Sequence, residues 1–192
     1  MPSELAARLE GRALRRIVYS KEAIRQRVEA LAQDITAAYD EDDDLLLVGL
    51  LKGSFIFLAD LARNIERPLQ VDFLVVSSYG ASMTSSGEVQ LLYDPQTELT
   101  DRRVVVVEDI IDSGVTLSWL MPMLKSRGPK SLELCALLRK QSARLDWEPR
   151  WVGFEAPSEF LVGYGLDHGE DLRHLPYIAS LWPPLAGQDK RR

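Results

Sequence analysis

Two short runs of consecutive apolar residues constrain this chain more than any other feature: "LLLVGLL", Leu45 to Leu51, and "VVVV", Val104 to Val107. Such runs are too short for a buried helix and lack the alternation of a half-exposed strand. Each therefore reads as a strand buried on both faces. A doubly buried strand needs helices to cover it, and the sequence around the two runs supplies them. From Ser20 to Tyr39, Ala23, Ile24, Val28, Leu31 and Ile35 fall mostly three or four apart, with Ser20 where an N-cap belongs. "FIFLADLARNI" repeats that spacing after "KGS" ends the first run. "PLQVDFLVVSSYG" is a further strand, with Pro68 at its start. The helix "TLSWLMPMLKSRG" begins at Thr116, stops at Gly128 and Pro129, and leads into the strand "SLELCALLRK". The alternation predicts an α/β fold with a central, mainly parallel sheet flanked by helices.

Two regions break this rhythm. Residues 81–100, "ASMTSSGEVQLLYDPQTELT", are polar and rich in Ser, Thr and Gly. A connection of that length inside a compact domain reads as a functional lid or a disordered segment. The tail from Trp147 to Pro184, dense in aromatics and glycines, is expected to form short strands and loops, a small cap over the main sheet. The acidic stretch "DEDDD", Asp40 to Asp44, reads as a solvated turn, because five successive acids cannot converge on one ion.

At 192 residues the chain fits a single domain. Its formal net charge of -6 argues against a protein whose main task is gripping nucleic acid. No apolar run approaches the roughly 18 residues of a membrane span. The N-terminus lacks the apolar core of a signal peptide. The single cysteine, Cys135 in "LELCALL", has no internal disulfide partner, which points to an intracellular, cytoplasmic setting. It reads as a small buried hydrophobe rather than a nucleophile.

The chemistry concentrates in "VVVVEDIIDSGVTL", Val104 to Leu117. The turn Asp112 to Thr116 lies between a parallel strand and its helix, where ligands of such sheets bind. Unpaired N–H groups and the positive dipole end of the helix face that space. Gly114 permits close backbone approach, and Ser113 and Thr116 add hydroxyls, so the turn is a seat for a phosphate monoester. Neither G-x-x-x-x-G-K-[ST] nor G-x-G-x-x-G occurs, which sets aside a P-loop and weakens a dinucleotide reading. Glu108 and Asp109 lie beside this seat, suited to accept hydrogen bonds from vicinal hydroxyls or to bind a hard divalent cation. Asp112 is placed to act as a general base. The competing reading makes Asp112 a helix cap and leaves the other two acids solvated. Three acids abutting a buried valine run are costly without a task, which disfavours it.

This segment resembles the 5-phosphoribosyl-1-pyrophosphate (PRPP) motif of the type I phosphoribosyltransferases. The tail "WVGFEAPSEFLVGYGLDHGEDLRHLPYIASL" narrows the resemblance to the 6-oxopurine branch, the bacterial hypoxanthine-guanine phosphoribosyltransferases. The resemblance runs from about "IVYSKEAI" to "LPYIASL". It implies the type I phosphoribosyltransferase fold, with a mobile loop at about 78–100 and a small C-terminal hood formed mainly by about 147–184. It implies that Glu108 and Asp109 hold the ribose hydroxyls directly or through magnesium, and that Asp112 takes the proton from purine N7. Asp112, Ser113, Gly114, Val115 and Thr116 match the 5'-phosphate seat. Lys52 and Gly53 of "LLKGS" match the pyrophosphate loop, where the family often has a cis peptide, here Leu51–Lys52. Arg173 matches a further pyrophosphate ligand. Ser78 and Tyr79 match the anchor of the mobile loop. Lys140 matches the lysine that bonds the purine 6-oxo group, although the residues alone favour an ordinary solvated lysine there. Phe160 matches the aromatic that stacks on the base, with core packing as its other reading. Leu161 matches a backbone contact to the base edge. Asp167 matches a second magnesium contact that also lies near the exocyclic amine of guanine. His168 and His174 read as partly exposed side chains without an assigned role.

The reaction implied is Mg2+-dependent transfer of the phosphoribosyl group from PRPP to hypoxanthine or guanine, giving IMP or GMP and pyrophosphate, in a homodimer or homotetramer. The alternatives are transfer to another base such as xanthine, or an RNA-binding pyrimidine regulator on the same fold. The regulator would need a basic surface, which the net charge opposes.

Overall fold

The computed structural model describes residues 14–78 and 89–182. In chain order the elements begin with β1 (Leu14–Tyr19), α1 (Lys21–Ala38), β2 (Leu45–Leu51) and α2 (Phe55–Asn64). Next come β3 (Leu69–Ser78), β4 (Val89–Tyr93), β5 (Arg103–Ile111) and α3 (Val115–Lys125). The last are β6 (Ser131–Lys140), β7 (Trp151–Ala156), β8 (Leu161–Val162) and β9 (Ile178–Leu181). The main sheet has the order β4-β3-β2-β5-β6-β7, all parallel except β4, which pairs antiparallel with β3 at the edge. A second, antiparallel sheet has the order β1-β9-β8.

The two apolar runs are buried on both faces because alternate side chains enter different cores. Leu45, Leu47, Val105 and Val107 pack with α1 and α2, alongside Ile24, Val28, Leu31 and Phe57. Leu46, Val48, Leu50, Val104 and Val106 pack with α3, alongside Leu117, Leu120 and Leu124. Each such fully buried Val or Leu contributes about 1.5–3 kcal/mol of transfer free energy. Helix α1 starts as its sequence indicates: Ser20 Oγ accepts the Ala23 N–H at 3.2 Å. The Arg27 side chain then ties α1 to β7, donating to the carbonyls of Val152 and Gly153 at 2.7 and 2.8 Å. Cys135 is fully buried in the first core, as a small hydrophobe should be.

Several expectations need adjustment. The valine strand does not end at Val107. Its ladder with β6 continues through Glu108↔Ala136, Ile110↔Leu138 and Ile111↔Arg139, so Glu108 and Asp109 lie within the strand. The reason is that β6 is long enough to pair that far. Part of the polar 81–100 stretch forms strand β4, and residues 79–88, Tyr79 among them, lie outside the described residues. The tail is not all cap, because β7 extends the main sheet along β6, from Cys135↔Trp151 to Lys140↔Ala156. The small sheet borrows its edge strand, β1, from the N-terminal side. Nor is the acidic turn merely solvated: the Asp43 carboxyl, 8% exposed, pairs with Arg103 at 2.9 Å and Lys130 at 3.3 Å. No helix among the described residues is long and apolar enough to cross a membrane.

Candidate active site

The chain runs outward from the sheet centre in opposite directions after β2 and after β5, since β3 flanks one side and β6 the other. A crevice forms at that switch point, beyond the carboxyl ends of β2 and β5. The register brings chemistry to it. Gly49 pairs with Val107, so the last residues of β2 run beside Glu108 and Asp109. Ile111 pairs with Arg139, so Asp112 and Lys140 leave their strands side by side. Lys140 Nζ reaches Asp112 Oδ2 at 2.9 Å. The lysine side chain is 17% exposed and the aspartate 64%, so the carboxylate faces open space and the ammonium is held beneath it.

The turn after β5 starts helix α3 on a glycine. Gly114 has φ 86°, a left-handed conformation that glycine adopts without a steric penalty. It is also pressed against the Arg144 carbonyl and Leu145, where a side chain would overlap them. As N-cap residue of α3 it offers no side chain to the first-turn N–H groups. Ser113 Oγ accepts from the Val115 N–H at 3.5 Å. The remaining first-turn donors and the helix dipole are directed at the crevice. The Val115 side chain is exposed and takes no part in the seat beyond its backbone. Thr116 is half-buried on the first turn of α3.

Beside the seat, Glu108 and Asp109 form a half-buried pair of acids. Burial, then the neighbouring Asp109 carboxylate, pushes Glu108 well above the usual carboxylate range. Burial also raises Asp109, offset first by a hydrogen bond with the Glu108 carboxyl and then by backbone N–H groups and the Arg173 charge. Among the described residues Glu108 Oε2, which is buried, has no hydrogen-bond partner. Two acids that repel each other, one with an orphaned oxygen, are suited to a positive ion or a hydroxyl donor. Among the described residues no three His, Cys, Asp or Glu side chains converge on one point. Asp167 in particular does not join Glu108 and Asp109.

The loop after β2 lies against the same acids. The Leu51–Lys52 peptide is cis. Gly53 fits so closely beneath Asp109 that a side chain there would overlap its carboxyl, and Gly165 abuts the Gly53 carbonyl equally closely. Gly165 belongs to the loop after β8, which other bonds hold in place. Tyr164 Oη donates to Asp60 Oδ2 of α2 at 2.6 Å, and Arg173 Nη1 donates to the Gly165 carbonyl at 2.8 Å. Arg173 Nη2 also pairs with Asp167 Oδ1 at 2.9 Å and with Glu170 Oε2 at 3.3 Å. Arg173 Nε is buried and has no hydrogen-bond partner among the described residues. Lys52 Nζ meets Glu170 Oε2 at 3.0 Å.

Phe160 is 54% exposed, which excludes core packing as its main role. Its ring meets His168 edge-on with centroids 5.7 Å apart. Leu161 is buried in β8, where its ladder partner is Ser180. Ser78 ends β3 at the same carboxyl edge of the sheet. A cavity of about 570 Å³ lies against Lys140 and is also lined by Tyr19, Glu155 and Pro157.

The structure thus gathers two groups of expected residues. Glu108, Asp109, Asp112 to Thr116 and Lys140 meet around the end of β5. Lys52, Gly53, Asp167 and Arg173 meet around the loop after β2. Glu170, Tyr164 and Gly165 were not among the expected residues. The segment "DHGED" carried a turn signal, a glycine close to two aspartates, but nothing in it singled out the glutamate.

A model of the phosphoribosyl transferase domain matches residues 16–168. The chain is 45% identical over 181 residues to the hypoxanthine-guanine phosphoribosyltransferase of Mycobacterium avium, covering 91% of this chain and 89% of that protein. It is 44% identical over 173 residues to the enzyme of the same name from Bacillus subtilis, covering 90% and 96%. The solved hypoxanthine phosphoribosyltransferase of Staphylococcus aureus superposes with a TM-score of 0.86 at 38% identity, covering 95% of this chain and 97% of that one.

Proposed function

The chain belongs to the hypoxanthine-guanine phosphoribosyltransferases, within the phosphoribosyl transferase domain family, and on that premise we propose a salvage reaction for it: transfer of the 5-phosphoribosyl group from PRPP to N9 of hypoxanthine or guanine, giving IMP or GMP and pyrophosphate. The observation that carries this reading is the approach of Lys140 to Asp112 at 2.9 Å, beside an anion seat built by Asp112 to Thr116. A lysine and a carboxylate that close together complement the 6-oxo group and the N7 proton on one edge of a purine.

In the proposed mechanism the α3 N-terminus holds the 5'-phosphate through backbone N–H groups, helped by the Ser113 and Thr116 hydroxyls. Glu108 and Asp109 receive the ribose hydroxyls. Lys140 donates to the purine 6-oxo group while Asp112 accepts the N7 proton as the glycosidic bond forms at N9. Phe160 offers its exposed face for stacking, and Leu161 offers its backbone to the base edge. Lys52, the Gly53 backbone and Arg173 collect the departing pyrophosphate, so that positioning and charge supply most of the rate. Ser78 and Tyr79 are proposed to bound a loop that excludes water from the cationic sugar.

Magnesium belongs to the same proposal. The unpartnered Glu108 Oε2 and the repelling Glu108–Asp109 pair support a cation there. Magnesium usually binds through one or two carboxylates together with substrate oxygens, so the lack of a protein-only cage among the described residues fits it. When bound it would supply positive charge to pyrophosphate and ribose oxygens. Asp167 is the proposed second contact. A cytoplasmic homodimer or homotetramer completes the reading, and sedimentation of the purified protein measures the assembly.

The test is turnover with PRPP and each of hypoxanthine, guanine, xanthine and adenine. The expected result is IMP and GMP formation with little product from adenine. Failure to turn over either 6-oxopurine overturns the reading.

A further inference from the structure

Glu170 sits at the tip of a two-residue hairpin. The His168 N–H donates to the Asp171 carbonyl at 3.1 Å, and the Asp171 N–H returns the bond to His168 at 3.2 Å. The two central residues, Gly169 and Glu170, both have positive φ, 61° and 68°. That is a type I′ turn, whose central positions favour Gly, Asn and Asp. A glutamate seldom occupies such a position, and a residue held there against its preference points to a task for its side chain.

The side chain has a specific destination. The single oxygen Oε2 lies 3.0 Å from Lys52 Nζ and 3.3 Å from Arg173 Nη2. The Glu170 N–H donates to Asp167 Oδ2 at 2.8 Å, which fixes the turn, and Asp167 Oδ1 in turn holds Arg173. One carboxylate oxygen therefore bridges the two cations assigned to the leaving group. The bridge is open to solvent, since both Lys52 and Glu170 side chains are 64% exposed, so an incoming anion can displace it. A buried bridge would lock the loop, whereas an exposed one is worth little and yields readily.

We propose that Glu170 is a built-in stand-in for pyrophosphate: its carboxylate holds Lys52 and Arg173 between turnovers, competes with pyrophosphate for them, and so hastens product release. The inference rests on the reading of Lys52 and Arg173 as pyrophosphate ligands. Glu170 acts here as a positioning residue for those two cations.

The experiment is calorimetric titration of the full chain with magnesium pyrophosphate, comparing wild type with Glu170→Gln and Glu170→Asn. Both variants should bind pyrophosphate roughly two- to fivefold more tightly, the scale of one exposed ion pair. The KM for hypoxanthine should stay unchanged, and kcat should fall if release limits turnover. Glu170→Asn, which suits the turn, should also melt no lower than wild type. Unchanged or weaker pyrophosphate binding in both variants overturns the proposal and makes Glu170 a loop tether or a magnesium contact. Lack of turnover by the wild type would instead overturn the functional reading, a result that the binding comparison does not depend on.

Discussion

Lys140 Nζ lies 2.9 Å from Asp112 Oδ2, joining the last residue of β6 to the first residue after β5. The pairing follows from strand register, since Ile111 and Arg139 are ladder partners one residue earlier. In the free protein each member serves as the other's partner. With a purine bound, the two would address adjacent atoms on one edge of the base.

Asp112→Asn tests the proton-accepting role. An amide cannot take the N7 proton, so kcat should fall about 10²-fold or more, the usual range for a lost general base. PRPP affinity should change far less. Steady-state turnover of hypoxanthine gives kcat and a PRPP titration gives the affinity, and equal activity in the variant removes Asp112 from that role.

Glu108→Gln tests the like-charge pair. Burial and Asp109 raise the Glu108 carboxyl, so above its unfolded value near 4.3 the charged form weighs against folding. Removing that charge should raise Tm in the absence of divalent cations, with each kcal/mol of relief giving about 2–4 °C. Turnover should fall at the same time, because the ribose hydroxyls lose an acceptor. A lower Tm would mean that the acid is structurally satisfied in the free protein.

Asp43 gives a pH-dependent outcome at the opposite end of the sheet. Hydrogen bonds from Arg103 and from the Asp40 N–H, with help from Lys130, lower its carboxyl to about 2. A depressed folded value means the stabilisation is fully present above the unfolded value, near 3.9, and is lost as pH falls through about 2. Asp43→Asn should therefore unfold at lower urea than wild type by a constant margin above about pH 4. The margin should shrink between about pH 4 and about pH 2. Urea midpoints across that range provide the check, and a pH-independent margin contradicts the ion-pair account.

Cys135 should be chemically silent. It is fully buried, and burial pushes its thiol up to about 12. A disulfide reagent at pH 8 should leave the native protein unmodified and should label one thiol per chain after denaturation in urea. Rapid labelling of the native protein would place the cysteine at an accessible surface.

The strands β2 and β5 at the middle of the sheet and the helices that cover them were legible in the sequence. These features are local: an unbroken apolar run specifies a doubly buried strand, and three-or-four spacing specifies a covering helix. Glu108 and Asp109 were legible for the same reason, since acids next to a buried valine run demand a partner. Lys140 was not legible from its surroundings, because a lysine at a strand end has no local signature. Only the pairing of β5 with β6 brings it to Asp112. The same holds for β7, whose residues suggested a cap but complete the main sheet through contacts with β6. Tertiary structure alone decided the Glu170 bridge, which spans from the tip of a tail hairpin to the loop after β2. Sequence patterns fix which face of an element is apolar; they do not fix which distant element it meets. That choice follows from strand order and from close backbone contacts such as Gly165 against Gly53.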